Sequence, residues 1–394
     1  GTMALKAASA KANITPYVGM LLSGFGGRRQ GNEGIHDDLH ARAVVLDDGD
    51  TAVAFVSCDL IGFSVDSIGR IRSLADELTG IPGDHILIAA THTHSGPAMG
   101  ILRMRTQDPE WVSIVEKKVA GAIAEAHADL TEAVLGVGIG NVQIGINRRE
   151  RTADGTYKLG RNPSGPVDKN VRVVRVETTD GEPIAAIVHH ACHPVVLGGR
   201  NNHVSADFPG EGMRFVEGTN PGIQALFING CAGNINSDLV GGTFADVHRL
   251  GTILGAEAVK TYQAIDLYQD VRIRCAVEDV EIPLQELPSV PEMETLVEQR
   301  TKALGEGVSP ERIESDHLVA YARDVIAERQ RPEEKRSRMI EMQAIALGDA
   351  ALVTTPGETF FEIGEAIRSG SPFAHTLVTG YTNGVIGYLP TAKA

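Results

Sequence analysis

Hydrophobic and polar positions along the chain switch repeatedly between strand-like and helix-like periods. Residues 41–46 and 51–57 read as two paired strands around the turn Asp47-Asp48-Gly49-Asp50. Residues 67–78 follow a helical period, and 85–91 form a short apolar run that predicts a buried strand. Residues 109–128 predict a long amphipathic helix, with the single tryptophan, Trp111, in its first turn. Further strands are expected over 133–139, 171–176, 184–190 and 223–229. A glycine-rich turn and a helix over 243–264 follow.

The pattern changes in the second half. Residues 271–284 alternate like a long, half-exposed strand. Residues 291–331 are rich in Glu, Arg and Ala but carry Leu296, Val297, Leu304, Leu318, Tyr321, Ala322 and Val325 at helical spacing. This predicts a helical insertion over about 290–332 rather than a linker. Strands return at 339–347 and 350–354, then a helix at 359–368 and a strand at 376–381. The alternation predicts an α/β fold: mixed central β-sheets flanked by helices, with the helical insertion in the second half, as one domain over 1–394.

Composition narrows the function classes. A chain of 394 residues with 42% hydrophobic residues and a mean hydropathy of −0.05 has apolar material for a sizeable core. It lacks a run of about 18 apolar residues that would span a membrane. Gly1-Thr2-Met3-Ala4 resembles a cloning remnant, and no apolar leader core follows, so a cytoplasmic location is expected. The net charge is −15, from 36 basic and 51 acidic residues, with no basic footprint for nucleic acid and no surface suited to anionic membranes. Cys58, Cys192, Cys231 and Cys275 are scattered in apolar surroundings, without a C-x-x-C pair, and read as reduced thiols. A homo-oligomer remains open.

The strongest local signal is Thr91-His92-Thr93-His94-Ser95-Gly96-Pro97, at the end of the apolar run 85–91. In an extended segment residues i and i+2 share a side, so His92 and His94 face one spot where α/β sheets gather their active sites. The pair could give one or two imidazoles to a metal, or merely cap the strand end. His189-His190-Ala191-Cys192-His193-Pro194 closes another apolar strand, and Pro194 keeps His193 extended. His193 is the ligand candidate there, and at least one of its neighbours is structural. Glu358, after Thr354-Thr355-Pro356-Gly357 at the start of a helix, is the candidate carboxylate or a first-turn acid. Asp59 and Asp207 are candidates to orient a ligand histidine or to join a second divalent metal. The stretch Gly24-Phe25-Gly26-Gly27-Arg28-Arg29 fits no strand-to-helix dinucleotide pattern and reads as a substrate-side loop.

With these pieces assembled, the chain resembles the catalytic domain of the neutral (non-lysosomal) ceramidases, zinc-dependent amidases of N-acylated sphingoid bases. The resemblance is carried in order by residues 34–43, Val56-Ser57-Cys58-Asp59, the segment 91–97, Asn147-Arg148, Cys192-His193-Pro194, Pro356-Gly357-Glu358 and Asn383-Gly384-Val385-Ile386-Gly387-Tyr388. It implies one Zn²⁺ per chain on His92, His193, Glu358 and Tyr388, with His94 and Arg148 beside it in catalytic positions. There are three departures. Asn236 stands where the family has a serine, so metal-activated water is expected as the nucleophile, with Asn236 as a hydrogen-bonding residue. The family's C-terminal immunoglobulin-like domain has no counterpart in the sequence, and the helical insertion does not match the family's lipid-binding part.

The expected function is zinc-dependent hydrolysis of an N-acyl amide, ceramide or a smaller soluble compound. Two alternatives stand beside it: a dinuclear metal esterase, lactonase or amidohydrolase in which Asp59 or Asp207 joins His94, and a non-catalytic metal-binding module on the same scaffold.

Overall fold

The computed structural model describes residues 4–28, 30–97, 99–101, 108–314, 316–333 and 336–393. Residues 1–3, Arg29 of the glycine-rich stretch and position 315 of the insertion lie outside the described residues.

Strand-forming segments assemble into one eight-stranded sheet. Its order is Gln224–Asn229, Pro183–His190, Asn170–Thr178, Thr131–Asn141, Lys6–Asn13, His40–Asp47, Ala52–Cys58, Ile86–Ala90. The pairs at its two ends are parallel, Pro183–His190 with Gln224–Asn229 and Ala52–Cys58 with Ile86–Ala90. The pairs between them are antiparallel. Ile86–Ala90 is buried at every position, which is why it reads as a continuous apolar run rather than an alternating one.

The sheet folds over so that its two ends meet. The Ser57 hydroxyl donates to the Phe227 carbonyl, and Asn229 Nδ2 reaches the Thr91 carbonyl at 3.0 Å. An inner apolar layer lies between the halves, with Val44, Phe55 and Leu87 from one and Leu135, Val174, Ile187 and Leu226 from the other. Helices Val65–Thr79 and Pro109–Ala128 cover one outer face, and Asp207–Thr219 and Phe244–Gln263 cover the other. A four-stranded sheet closes a further side of the inner layer: Ile273–Pro283, Ser337–Leu347, Ala350–Thr354, His375–Thr379.

Among the described residues, three helices, Val290–Leu304, Pro310–Glu314 and His317–Arg329, separate Ile273–Pro283 from Ser337–Leu347 and pack around their own small cluster of Met293, Ala322 and Val325. This is the helical insertion expected from the sequence. Strands Lys6–Asn13, Gly145–Arg151 and Tyr157–Asn162 and helix Asp207–Thr219 were not expected from the sequence, and two expected details differ. Glu358 does not open a helix; it lies in a two-residue strand, Glu358–Thr359, parallel to Tyr388–Leu389, and the helix begins at Phe361. The cysteines are free, but Cys275 is only half-buried. Among the described residues, no helix is long and apolar enough to cross a membrane.

Candidate metal centre

The two parallel strand pairs deliver the histidines. His92 follows Ile86–Ala90, and His193 follows Pro183–His190. One side chain ties the two exits together: Asn229 Nδ2 donates to the carbonyls of Thr91 and Cys192, the residues just before each histidine, at 3.0 and 3.1 Å. The backbone at His92 is not extended, as strand alternation implied, but left-handed at φ 71°. This turn, rather than i/i+2 alternation, directs its ring.

Each of the two rings is oriented by main-chain carbonyls. His92 Nδ1 lies 2.6 Å from the Ile61 carbonyl, and His193 Nδ1 lies 2.7 Å from that of Ala232. A carbonyl can only accept, so the proton resides on Nδ1 and the Nε2 lone pair faces inward. Nε2 of His92 and both ring nitrogens of His94 are buried without a hydrogen-bond partner. The ligand-capable atoms of His92, His94 and His193 lie within 4.8 Å of one another. Glu358 Oε2 is 3.1 Å from His193 Nε2 and 3.6 Å from His92 Nε2.

Arg148 enters from strand Gly145–Arg151, which pairs with Tyr157–Asn162 and with Ile235–Ser237. Its Nη2 bonds the Gly233 carbonyl at 2.8 Å and the Tyr388 hydroxyl at 2.9 Å, while Nη1 bonds Asn236 Oδ1 at 3.1 Å. Nη2 also stands 3.7 Å from Glu358 Oε2. Tyr388 is half exposed, but its hydroxyl end points inward, where burial and the Glu358 carboxylate push its pKa up. Ser237, next to Asn236, turns its hydroxyl away to the Leu239 carbonyl at 2.8 Å.

Burial sets the protonation states. It holds His193 down at about 3, helped by Arg148, and keeps His94 well below the usual imidazole range, helped by His92 and His193. Burial pushes the Glu358 carboxyl up, yet His92 and His193 pull harder and leave it well below the usual carboxylate range. The result is a buried carboxylate beside three clustered imidazoles, with His92 Nε2 and both His94 nitrogens lacking a partner. Such a donor set leaves polar groups unsatisfied unless a cation sits among them, so these residues fit a bound metal ion.

The structure thus brings His92, His94, His193, Glu358, Arg148, Asn236 and Tyr388 together. Asp59 and Asp207, the candidates to orient a ligand histidine or join a second metal, make their side-chain bonds with other groups. Asp59 Oδ2 accepts from Arg42 at 2.7 Å and from the His40 amide at 2.9 Å. Asp207 accepts from the Phe208 amide at 2.7 Å, at the start of its own helix. The neighbours of His193 are structural: His189 Nε2 and His190 Nδ1 bond main-chain carbonyls. The glycine-rich stretch lies over the site, with the Phe25 ring edge-on to His94 at 5.0 Å.

Two contributors were missed in the sequence. Asn229 ends an apolar strand and reads as a turn residue. Tyr381 reads as the end of a buried strand, yet its ring stacks on His92. The only signal was an aromatic residue placed directly after Gly380 at a strand exit.

Comparisons with known proteins give the family and the fold. A model of the neutral/alkaline non-lysosomal ceramidase N-terminal region matches residues 7–241. Neutral ceramidase B of Dictyostelium discoideum is 27% identical over 223 residues, which are 53% of this chain and 30% of that protein. Neutral ceramidase of Mycobacterium tuberculosis is 29% identical over 218 residues, 49% of this chain and 32% of that protein. The chain therefore matches about a third of the length of these curated relatives. The crystal structure of neutral ceramidase from Pseudomonas aeruginosa has the same fold, with a TM-score of 0.74 at 18% identity, covering 100% of this chain and 70% of that one. The matched region contains both histidine clusters, Arg148 and Asn236, and by it the chain belongs to the neutral/alkaline non-lysosomal ceramidase family.

Proposed function

We propose that the chain is a zinc-dependent amidohydrolase that cleaves an N-acyl amide, with His92, His193, Glu358 and Tyr388 holding one Zn²⁺. The observation that carries this reading is the buried Glu358 carboxylate beside His92 and His193, with Nε2 of His92 and both ring nitrogens of His94 buried without a hydrogen-bond partner. Bound there, zinc supplies Lewis acidity and brings the pKa of water to about 7.

The chain's own residues do the rest. Arg148, held in place by the Gly233 carbonyl and Asn236, presents positive charge where the scissile carbonyl becomes an oxyanion. Its partner Asn236 occupies the serine position of the family, so the nucleophile is water and no acyl-enzyme forms. His94 is neutral and unpartnered. It takes a proton as water adds to the carbonyl and passes that proton to the departing nitrogen, leaving a carboxylic acid and an amine. With a net charge of −15, a soluble N-acyl compound suits this chain better than a lipid drawn from an anionic membrane.

A second reading has one observation in its favour. His94 lies within 4.8 Å of the other two imidazoles, close enough to serve as a third nitrogen ligand. Elemental analysis after zinc supplementation, paired with an amide and ester screen with and without chelator, tests both. One zinc per chain and chelator-sensitive amide cleavage are expected, with His193→Ala losing both. His94→Ala should keep zinc while its rate falls by about 10²-fold or more. Loss of zinc from His94→Ala moves that residue into the ligand set, and two metals per chain favours a dinuclear enzyme. A zinc-free wild type, or catalysis untouched by chelator, overturns the proposal.

A further inference from the structure

Tyr381 has no role in the mechanism above, yet it touches the segments that carry His92, His193 and Glu358. It is 1% exposed, and its backbone is left-handed at φ 55°, a conformation a bulky aromatic residue rarely adopts without a compensating reason. Its amide donates to the Gly357 carbonyl, beside Glu358, at 3.0 Å, and its carbonyl accepts from the Ala90 amide, two residues before His92, at 3.1 Å. The left-handed turn therefore lets one residue bond two ligand-bearing segments through its main chain while its side chain points back between the histidines.

There the ring lies on His92, with centroids 4.0 Å apart and planes inclined by 23°, and meets His193 edge-on at 5.8 Å. The hydroxyl is 3.4 Å from His193 Nδ1. That is too long to rival the 2.7 Å contact of the same nitrogen with Ala232, so the ring face matters more than the hydroxyl. The Ile61 carbonyl fixes the Nδ1 end of His92 but leaves the ring free to tilt about that contact. The stacked face removes this freedom.

We propose that Tyr381 is a positioning residue for the metal centre, holding the His92 ring plane so that its Nε2 aims at the point shared with His193 and Glu358. It bonds no metal itself; its effect passes through His92. Groups that orient a ligand in this way typically change metal affinity by about 10–100-fold when removed. The inference rests on the metal site proposed above, and the test separates the two.

Zinc dissociation constants come from competition with a chromophoric chelator, and the melting temperature of the metal-free protein serves as the control for folding. Tyr381→Phe keeps the ring and should bind zinc within about threefold of wild type. Tyr381→Leu keeps apolar bulk without the flat face. It should bind about 10–100-fold more weakly and change the visible spectrum of the Co²⁺-loaded protein, while the metal-free melting temperature stays within a few degrees. A wild type that does not bind zinc overturns the metal site itself. Zinc-binding wild type and Tyr381→Leu with equal affinities and equal Co²⁺ spectra leave the metal site standing and overturn the role of Tyr381. Should the leucine variant not fold, ¹⁵N spectra of imidazoles in the metal-free wild type decide. One His92 ring state, protonated on Nδ1, supports the proposal, and averaging between ring orientations overturns it.

Discussion

Asp207 follows a short loop and opens a helix, at a point where a carboxylate could have reached a metal, and it is instead a buried acid with local bonds. Burial raises its carboxyl from 3.8 to about 7, against the pull of the Phe208 and Leu197 amides. The linkage sign follows from this. Below about pH 4 both folded and unfolded chains hold the proton. Between pH 4 and 7 only the folded chain does, so this group's contribution to stability falls as pH rises and is flat above 7. The full span is on the order of 4 kcal/mol. Asp207→Asn is neutral at every pH and tolerates the left-handed backbone, φ 54°. Urea unfolding of metal-free protein should show the variant gaining on wild type by up to that amount between pH 4 and 8. A pH-independent difference would mean that Asp207 ionises in the ordinary range. The same residue shows why site reading from sequence is uneven. His92 and His193 announce themselves because clustered histidines at strand exits have few other uses. A buried aspartate, an asparagine such as Asn229 and a tyrosine such as Tyr381 have many, and only packing decides among them.

Elements whose own residues specify them were readable. Helix Pro109–Ala128 has the bounds its pattern predicts because Asp108 accepts from the Trp111 amide and a proline stands at the first position. Helix Asp207–Thr219 was not readable, since Pro209, Gly210, Gly212 and Gly218 are poor helix formers. Gly212 serves packing against Phe244–Gln263: a Cβ on it would come 3.2 Å from the Gly251 carbonyl oxygen, and one on Gly255 of the partner helix 2.7 Å from the Gly212 carbonyl oxygen. The loop over the site follows the same logic of close approach. Gly24 has φ +92°, and a Cβ there would lie 2.4 Å from His94 Nδ1. Gly24→Ala should therefore displace His94, cutting kcat by about 10²-fold, as small misplacements of a reacting group do. Zinc content should stay at the wild-type level, since His92, His193 and Glu358 are not touched. Steady-state rates with elemental analysis check this, and an unchanged kcat would show that the loop stands clear of His94 in solution.

At the scale of the whole molecule, the centre exists only because separate sheets close on one point. His92 and His193 come from opposite ends of the eight-stranded sheet, Arg148 and Asn236 from a three-stranded one, and Glu358 and Tyr388 from a two-stranded pair. The last two lie beyond the matched region, so the second half of the chain completes a site that the first half begins. The helical insertion takes part as well. Asp316, buried and paired with Arg300 at 2.7 Å, caps helix His317–Arg329. The His317 ring packs on Gly26, where a Cβ would meet it at 2.9–3.1 Å, and Gly26 belongs to the loop whose Phe25 abuts His94. A change in the insertion should thus reach His94 through this loop. Gly26→Ala should lower kcat, and His317→Ala should open the space the new methyl needs, so the double variant recovers. A double-mutant cycle on kcat and on stability should give a coupling of about 0.5–3 kcal/mol, the range for side chains in contact. Strict additivity would mean that the insertion and the loop move independently, and that His94 is held by the sheets alone.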